Sequence, residues 1–498
     1  MAAVDLGAQS GRVALGVFDG DRLSVDEVHR FPNVPVRARG TLYWDVLRLY
    51  EDVLDGLTAA GSKGTSIDSV GVDTWGVDFG LLDRDGRLVQ NPVHHRDGRT
   101  EGMLEALFAE VPAREVYERT GIQLMPINTL VQLYAAVCSD DRALEIAETL
   151  LLIPDLIHYW LSGVAACELT NATTTQCLDP RAQTWAVDLL ERLGIPSGVF
   201  PEVVGPATPL GALLDEVAER TRLRGVVVVA PATHDTASAV AAVPFRHPSS
   251  VYVSAGTWSL VGVELTAPLI DDRTFASNLT NEGGIGGTVR LLRNVNGLWL
   301  MHECQSAWAS EGTVIDVPEL VQMAEHASPF RSFIDPNDPV FLPPGGMPDR
   351  IRDYCTRTDQ PVPDEPGAVV RCILESLALK FRHSVELLTS VTGISPPELH
   401  IVGGGSRNRL LCQWTADATG LLVLAGPEEA TLVGNLMAQA MALGEISSLD
   451  EARDVVRSSF EPRLYEPSRQ PEWEQAYARF EEIVGTADSS ADTQVAAR

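Results

Sequence analysis

The sequence predicts an α/β protein built of two similar halves, and three observations carry that expectation. The chain has 498 residues, too many for one ordinary core and enough for roughly two to four domains of usual size. The stretch "VDLGAQS" near the N-terminus recurs as "VSAGTWS" halfway along, with Gly7 falling on Gly256 and Ser10 on Ser259, as duplication would give. The second half closes on "LHIVGGGSRNRLLCQWTADATGLLVLAGPEEATLVGNLMAQAMALG", which reads strand, glycine-rich turn, helix, strand, turn, helix.

Taken in order, "AAVDLGAQSGRVALGVFDGDRLSVDEVHRF" reads strand, glycine turn, strand, "DGD" turn, strand, because alternating apolar runs are bounded by Gly and Asp. "SVGVDTWGVDFGLLDRDGRLV" predicts a second hairpin with "DRDG" at its far turn. Helical patterns follow around 101–110 and 142–162. "RGVVVVAPAT" then gives a buried strand feeding a small-residue helix that must end by Pro244. "PFRHPSS" (244–250) reads as a linker, so the expected domains are 1–244 and 245–484. The tail 485–498, "GTADSSADTQVAAR", lacks core material and is expected to be disordered.

Composition excludes several functions. A hydrophobic share of 45% with 6% aromatic residues suits a soluble globular protein. The 38 basic against 68 acidic residues leave a net charge of −30, a field that disfavours nucleic acid and anionic lipid. An anionic ligand such as a nucleotide must then be met by a metal, helix N-termini or a few placed arginines. The seven cysteines are scattered and include no C-x-x-C, which argues against a zinc site and a secreted disulfide framework. Cys355 and Cys372 can pair if close, although free thiols are expected in a reducing compartment. "MAAVDLGAQSGR" has no basic n-region, and "LLLIPDLIHYWL" is broken by Pro154 and Asp155, so neither a signal peptide nor a membrane span is read. The expected location is cytoplasmic, as a monomer or small homo-oligomer.

Standard nucleotide and hydrolase motifs fail. "GLTAAGSKG" has Ser62 where a P-loop needs Lys, "GGGSRN" lacks the third glycine of a dinucleotide fingerprint, and "GAQSG" has the wrong spacing for a nucleophile elbow. What remains is a pair of small-residue turns at strand ends. Gly7-Ala8-Gln9-Ser10-Gly11-Arg12 can bring backbone N–H groups, a hydroxyl and a guanidinium to an anion, and Gly256-Thr257-Trp258-Ser259 offers the same kind of turn from the other half. Each alone reads as a hairpin turn; together, related by duplication, they read as two jaws on one phosphate chain. Asp5, on the strand before the first jaw, is a costly buried carboxylate unless paired or near a metal. Magnesium on nucleotide phosphates, reached through water, is its natural partner.

Other candidates divide between packing and chemistry. Asp73 and Asp78 flank a Trp-Gly turn in which Trp75 can pack or stack on a sugar face. Asn294 and Asn296 can bond hydroxyls or form turns, and His302 can be a packed helix residue. In "VVVVAPATHDTASAV" the triplet His234-Asp235-Thr236 stands where a helix starts, and Asp or Thr there can cap it.

These stretches occur in a familiar order. "VDLGAQSGR", "GVDTWGVDF", "HRDGRT", "NATTTQ", "HDTASAV", "SAGTWSL", "NEGG", "NGLWL" and "HIVGGGSRN" resemble the FGGY carbohydrate kinases over roughly residues 2 to 480. The resemblance implies an actin-like ATPase fold: duplicated ribonuclease-H-like α/β domains around a central cleft. It implies transfer of phosphate from ATP, with Mg2+, to the 1-hydroxyl of a ketose, with L-rhamnulose favoured over L-fuculose or L-ribulose. It assigns Asp235 as the base, and Gly76, His234, Thr236 and Asn294 as further sugar contacts. It gives Ala8 to Arg12 and Thr257 to the phosphates, and Gly404 and His302 to the adenosine side. His302 replaces the family's Gln, "SAGTWS" replaces "SSGTWS", and Thr415 and Thr419 stand where cysteines occur in the family.

Chemistry independently suits that assignment, since phosphoryl transfer needs mainly positioning, charge neutralisation and a base. A carboxylate at a helix N-terminus is expected to stay ionised under the helix dipole, whereas His234 there serves better as a neutral donor. The rival from another class is an actin-like or chaperone-like ATPase acting on a protein partner, for which ATP hydrolysis would need no sugar.

Overall fold

A computed structural model of the chain describes residues 1–468 and 471–496, the stretch 486–496 by backbone alone. By packing the chain forms two compact units. The first comprises Met1–Pro244, Glu264–Leu291 and Glu429–Phe460; the second comprises Phe245–Val263, Leu292–Glu428 and the chain from Glu461. The sequence thus leaves the first unit after Pro244 and returns to it twice.

The first unit is organised by six strands: β1 (Ala2–Leu6), β2 (Ser10–Phe18), β3 (Leu23–Pro32), β4 (Ser69–Thr74), β5 (Thr208–Ala212) and β6 (Val227–Ala230). Their order in the sheet is β5-β6-β4-β1-β2-β3. β1, β2 and β3 form an antiparallel meander, while β4 lies parallel to both β1 and β6. β1 and β4 are buried along their whole length, as strands covered on both faces must be. Helix Val46–Gly61 makes the crossover from β3 to β4 and starts at Asp45, whose carboxylate accepts from the Arg48 N–H at 3.3 Å. The short strand β9 (Thr280–Gly283) belongs to this unit too, held where the Gly283 N–H donates to Thr173 Oγ1 at 3.0 Å.

The second unit repeats the plan with β7 (Val251–Ala255), β8 (Trp258–Leu265), β10 (Val289–Asn296), β11 (Glu398–Val402), β12 (Leu422–Ala425) and β13 (Arg463–Tyr465). The order through it is β10-β8-β7-β11-β12-β13. β7 is antiparallel to β8 and parallel to β11, and β11 is parallel to β12. Both sheets thus show an antiparallel turn-back followed by parallel strands, with an antiparallel edge strand beyond them (β5 on β6, β13 on β12).

The helix Ala430–Ala442 shows how the last returning segment is bound. Gln439 Nε2 donates to the Ala2 carbonyl at 2.9 Å, and Asn435 Nδ2 donates to the Gly71 carbonyl at 3.2 Å. The same helix meets helix Asp235–Ala241 at Gly434, where any Cβ would run into the Ser238 carbonyl. Only glycine permits that approach.

Several expectations change. Phe79–Leu82 does not fold back on β4 to make a second hairpin; it pairs antiparallel with Thr149–Leu152. The chain swings away because Val77 takes a left-handed φ of 68°. The "DRDG" turn does form, closed by the Gly86 N–H donating to the Asp83 carbonyl at 2.9 Å. The helical pattern at 142–162 is interrupted by that same strand Thr149–Leu152, between helices Arg142–Ile146 and Ile153–Ser162. Its run of leucines is fully buried against Phe79–Leu82, so tertiary pairing overrides the local period. The C-terminal helix runs from Pro471 to Ala496, through most of the expected tail; residues 497–498 lie outside the described residues. All seven cysteines are free thiols, and Cys355 and Cys372 face each other, the contact lowering the Cys355 thiol and raising that of Cys372. Among the described residues no helix is long and apolar enough to cross a membrane.

Candidate active site

In the first unit, sheet register assembles the charged groups. Asp5 on β1 is the Cα partner of Arg12 on β2 and of Asp73 on β4. Arg12 donates to Asp5 Oδ2 from Nε at 2.9 Å and from Nη2 at 2.6 Å, and it also pairs with Glu429 from the returning segment. Asp73 is fully buried, and its Oδ2 accepts from Asn435 Nδ2 at 2.6 Å while its Oδ1 has no partner. Burial first, then the neighbouring Asp5 charge, pushes the Asp73 carboxyl well above the ordinary range. The turn Gly7–Ser10 is closed by the Gly7 N–H donating to the Ser10 carbonyl at 3.0 Å. Asn33 clamps it by donating from Nδ2 to the Gly7 carbonyl at 2.9 Å.

His234-Asp235-Thr236 lies beside this cluster at the end of the sheet. The end of β4 bridges to it, Thr74 with His234 in parallel, and the Thr74 N–H donates to the Thr233 carbonyl at 2.9 Å. Glu168 fixes the approach: its carboxylate accepts from Thr233 N and Oγ1, both at 2.8 Å, and from Thr170 N at 2.8 Å. The helix cap is His234, whose carbonyl accepts from the Ala237 N–H at 2.8 Å, and Asp235 is the first helical residue. The sequence allowed Asp235 itself to be the cap; the extended backbone at His234 moves the helix start back by one residue. Asp235 Oδ1 accepts from its neighbour Thr236, from N at 2.6 Å and Oγ1 at 3.2 Å. The expected effect of the helix dipole does not dominate here. Burial raises the Asp235 carboxyl and the Asp5 charge adds to this, against the lowering influence of His234 and the Thr236 bonds. The helix is only seven residues long, and a short helix presents a weak dipole.

Around Gly76 the chain is shaped for close approach. A Cβ on Gly76 would lie 2.9 Å from Thr174 Oγ1, and Thr174 also accepts from the Val77 N–H at 3.2 Å. The strained Val77 is held by two donors on its carbonyl, Thr129 Oγ1 at 2.7 Å and Gln132 Nε2 at 3.2 Å. Strain of this kind persists only where the surroundings over-determine it. Trp75 is buried and packs on Trp44 with ring centroids 4.2 Å apart, so packing is its role in this structure. Asp78 Oδ2 accepts from Trp44 Nε1 at 2.6 Å and Trp75 Nε1 at 2.8 Å, and bonds His95 Nδ1 at 2.7 Å. Burial would raise that carboxyl, but His95 and these bonds hold it below the ordinary range.

The second unit supplies a different set. Gly256, at the end of β7, donates its N–H to the Trp258 carbonyl at 2.8 Å, and the Thr257 carbonyl accepts from Gly297 at 3.1 Å and Trp299 at 3.2 Å. Thr257 is therefore part of a small backbone cradle closed by "NGLW". Gly403 has a φ of 80°, and a Cβ on Gly405 would collide with Ala255, so the glycine-rich turn containing Gly404 presses on the β7 end. Asn294 and Asn296 are held by Asn337, which donates to the Asn294 carbonyl and accepts from the Asn296 N–H, each at 2.9 Å. His302 lies on helix Trp299–Ser310, its buried Nδ1 has no partner, and burial lowers its pKa. It is a neutral imidazole at pH 7 and can meet a nucleotide by hydrogen bonding, not by charge.

Sequence reasoning missed Glu168, Asn435, Glu429, Arg290 and Glu282 as contributors. "NEGG" held one of them as a motif only, and Asn435 with Gln439 carried a usable signal, two polar residues one turn apart in an apolar helix. As to metal, no group of three or more His, Cys, Asp or Glu side chains among the described residues is arranged to hold an ion. Asp5, near the end of β1, is the carboxylate that fits a hydrated Mg2+ carried by phosphates; Asp73, fully buried with a raised carboxyl, stands behind it.

The chain is similar over nearly its whole length to known proteins. Residues 1–242 match the N-terminal domain, and residues 251–443 the C-terminal domain, of the FGGY family of carbohydrate kinases. The chain is 44% identical over 482 residues to a protein of Bacteroides thetaiotaomicron named Rhamnulokinase, covering 97% of this chain and 99% of that one. Proteins with the same name from Pectobacterium atrosepticum and Oceanobacillus iheyensis are 41% and 38% identical, covering 97% and 93% of this chain and 96% and 97% of theirs. Among solved structures, xylulose kinase from Lactobacillus acidophilus superposes with a TM-score of 0.79 at 15% identity, covering 98% of both chains. Glycerol kinase from Plasmodium falciparum with ADP superposes with a TM-score of 0.77, also at 15% identity and 98% coverage of both. The fold is therefore that of the sugar kinases, with duplicated ribonuclease-H-like, actin-like ATPase domains.

Proposed function

The chain belongs to the FGGY family of carbohydrate kinases, and from that premise we propose that it transfers the γ-phosphoryl group of ATP to the 1-hydroxyl of L-rhamnulose. The products are L-rhamnulose 1-phosphate and ADP. The observation that carries the choice of sugar is the 38–44% identity, over nearly the whole chain, to proteins named Rhamnulokinase.

In this reading Asp235 takes the proton of the attacking hydroxyl as the oxygen bonds to phosphorus and the bridging bond to ADP breaks. A base whose carboxyl is raised by burial suits the task, because general bases work best when their pKa approaches the operating pH. His234, Thr236, the backbone at Gly76 and Asn294 orient the ketose. The turn Ala8 to Arg12 and Thr257 hold the phosphates, with Gly404 and the neutral His302 on the adenosine side. Arg12 brings a cation to a chain of net charge −30, and its double bond to Asp5 fixes where that cation points. Asp5, with Asp73 behind it, would hold Mg2+ through water, and the ion when bound offsets phosphate charge.

Turnover on a panel of ketoses with ATP and Mg2+ tests the assignment. L-rhamnulose is expected to give the highest kcat/KM, with a 1-phosphate product. A clear preference for L-fuculose or L-ribulose would replace the sugar, and ATP hydrolysis without a phosphosugar would overturn the reaction.

A further inference from the structure

A buried cluster behind the base has no place in the mechanism so far. Arg290, near the start of β10, is fully buried, and Glu282 on β9 is nearly so. The guanidinium donates from Nε to the Gly283 carbonyl at 2.9 Å, and its Nη2 lies 3.1 Å from Glu282 Oε2 and 3.2 Å from His234 Nδ1. Glu282 Oε2 is itself 3.3 Å from His234 Nδ1. On the other side of the ring, His234 Nε2 is 3.4 Å from Asp235 Oδ1.

This geometry decides the proton on the imidazole. A guanidinium has five donors, no acceptor, and stays charged in proteins. At 3.2 Å from Nδ1 it can bond only to a lone pair there. The tautomer that leaves Nδ1 free to accept carries its hydrogen on Nε2, the ring nitrogen 3.4 Å from Asp235 Oδ1. Asp235 Oδ1 accepts from the Thr236 N–H and the Thr236 hydroxyl and lies 3.4 Å from His234 Nε2. Oδ2 is left for the sugar.

Resting on the kinase reading above, we propose that Arg290, balanced by Glu282, is a positioning residue that fixes the Nε2–H tautomer of His234 and thereby makes Asp235 Oδ2 the oxygen that takes the substrate proton. Arg290 touches neither sugar nor nucleotide in this role. It acts through the histidine, as outer carboxylates and carbonyls act on the tautomer of other functional histidines.

The test is nitrogen-15 NMR of the His234 ring in the full-length protein at pH 8, read beside steady-state kinetics. The unsubstituted protein is expected to show the ring hydrogen on Nε2 and none on Nδ1. Arg290→Met should move the hydrogen to Nδ1, toward Glu282, or charge the ring, and lower kcat roughly 10- to 100-fold with a smaller change in KM for ATP. Arg290→Lys, which can also only donate, should restore the tautomer and part of the rate. An Nδ1–H or doubly protonated ring in the unsubstituted protein overturns the proposal, even if Arg290→Met fails to fold. So does an unchanged tautomer in Arg290→Met. The NMR result is independent of turnover: if no ketose is phosphorylated while the Nε2–H tautomer and its dependence on Arg290 hold, the kinase reading fails and the positioning does not.

Discussion

The two turn-backs that open the units share a plan and differ in chemistry. In the first, Asp5 pairs in register with Arg12 and Asp73. In the second, the matching strand position is Ser254, whose partners are Leu260 and Val402. The turn is also one residue shorter in the second unit, since Leu6 pairs with Gly11 but Ala255 pairs with Ser259. Duplication thus kept the backbone, and the side chains diverged. One turn gathered a cation and two carboxylates; the other kept small and apolar groups around a backbone cradle. Under the proposed function the difference amounts to a division of labour, with charge handling and proton transfer on the first unit and neutral binding of the nucleotide on the second.

Breaking the charged side should therefore cost most. Asp235→Asn is expected to lower kcat about 1,000-fold, within the range of general-base catalysis, with folding and the KM for ATP little changed; circular dichroism and steady-state kinetics check both. Arg12→Met leaves Asp5 and Glu429 without their shared cation and should destabilise the protein by about 3 kcal/mol, as when one partner of a buried pair is removed. Ser254→Ala, on the second unit, should change denaturant stability by less than about 1 kcal/mol. Similar losses from the two substitutions would erase the contrast.

Smaller effects sharpen the division. Thr257→Val should raise the KM for ATP about 10-fold through loss of a hydrogen bond to a charged group while leaving kcat nearly constant. A matching fall in kcat would place chemistry on the second unit. Because the Asp235 carboxyl is raised in the folded protein and the base must be ionised, kcat/KM should fall as pH drops through a value above the ordinary carboxylate range. A pH–rate profile flat down to pH 4 contradicts that. For Asp73, a raised folded pKa means that folding takes up a proton, so stability declines as pH rises from the ordinary carboxylate range to the raised value. Asp73→Asn should remove that slope and leave the melting temperature at pH 7 equal or higher.

What the sequence revealed follows from how local each signal was. The meander β1–β3, the glycine turns and the strand before His234 were legible because alternation, Gly and Pro act over a few residues. The paired turns were legible because duplication preserved "VDLGAQS" in "VSAGTWS". The departure of Phe79–Leu82 was hidden, since its partner Thr149–Leu152 is far along the chain and reads as helix on its own. The Glu282–Arg290 pair was hidden for a related reason: it meets His234 only because residues 264–291 rejoin the first unit. The electrostatics of Asp235 were misjudged, because the helix start could be read from sequence while burial and the nearby Asp5 could not.

The close contact of Gly434 with Ser238 bears on how the chain is made. The helix carrying Asp235 is buttressed by residues that leave the ribosome only after the whole intervening unit has been synthesised. At roughly 5–20 residues per second, that interval lasts on the order of 10–40 s. Until then the sheet around β1 and β4 lacks Asn435 and Gln439, and Arg12 lacks Glu429. The first 244 residues, though they read as a domain, therefore end in an unfinished core that waits for its own C-terminal segment. A gene cut at the apparent boundary would yield a fragment that exposes that core to aggregation, while a break in the 244–250 linker of the finished protein leaves the buttress in place.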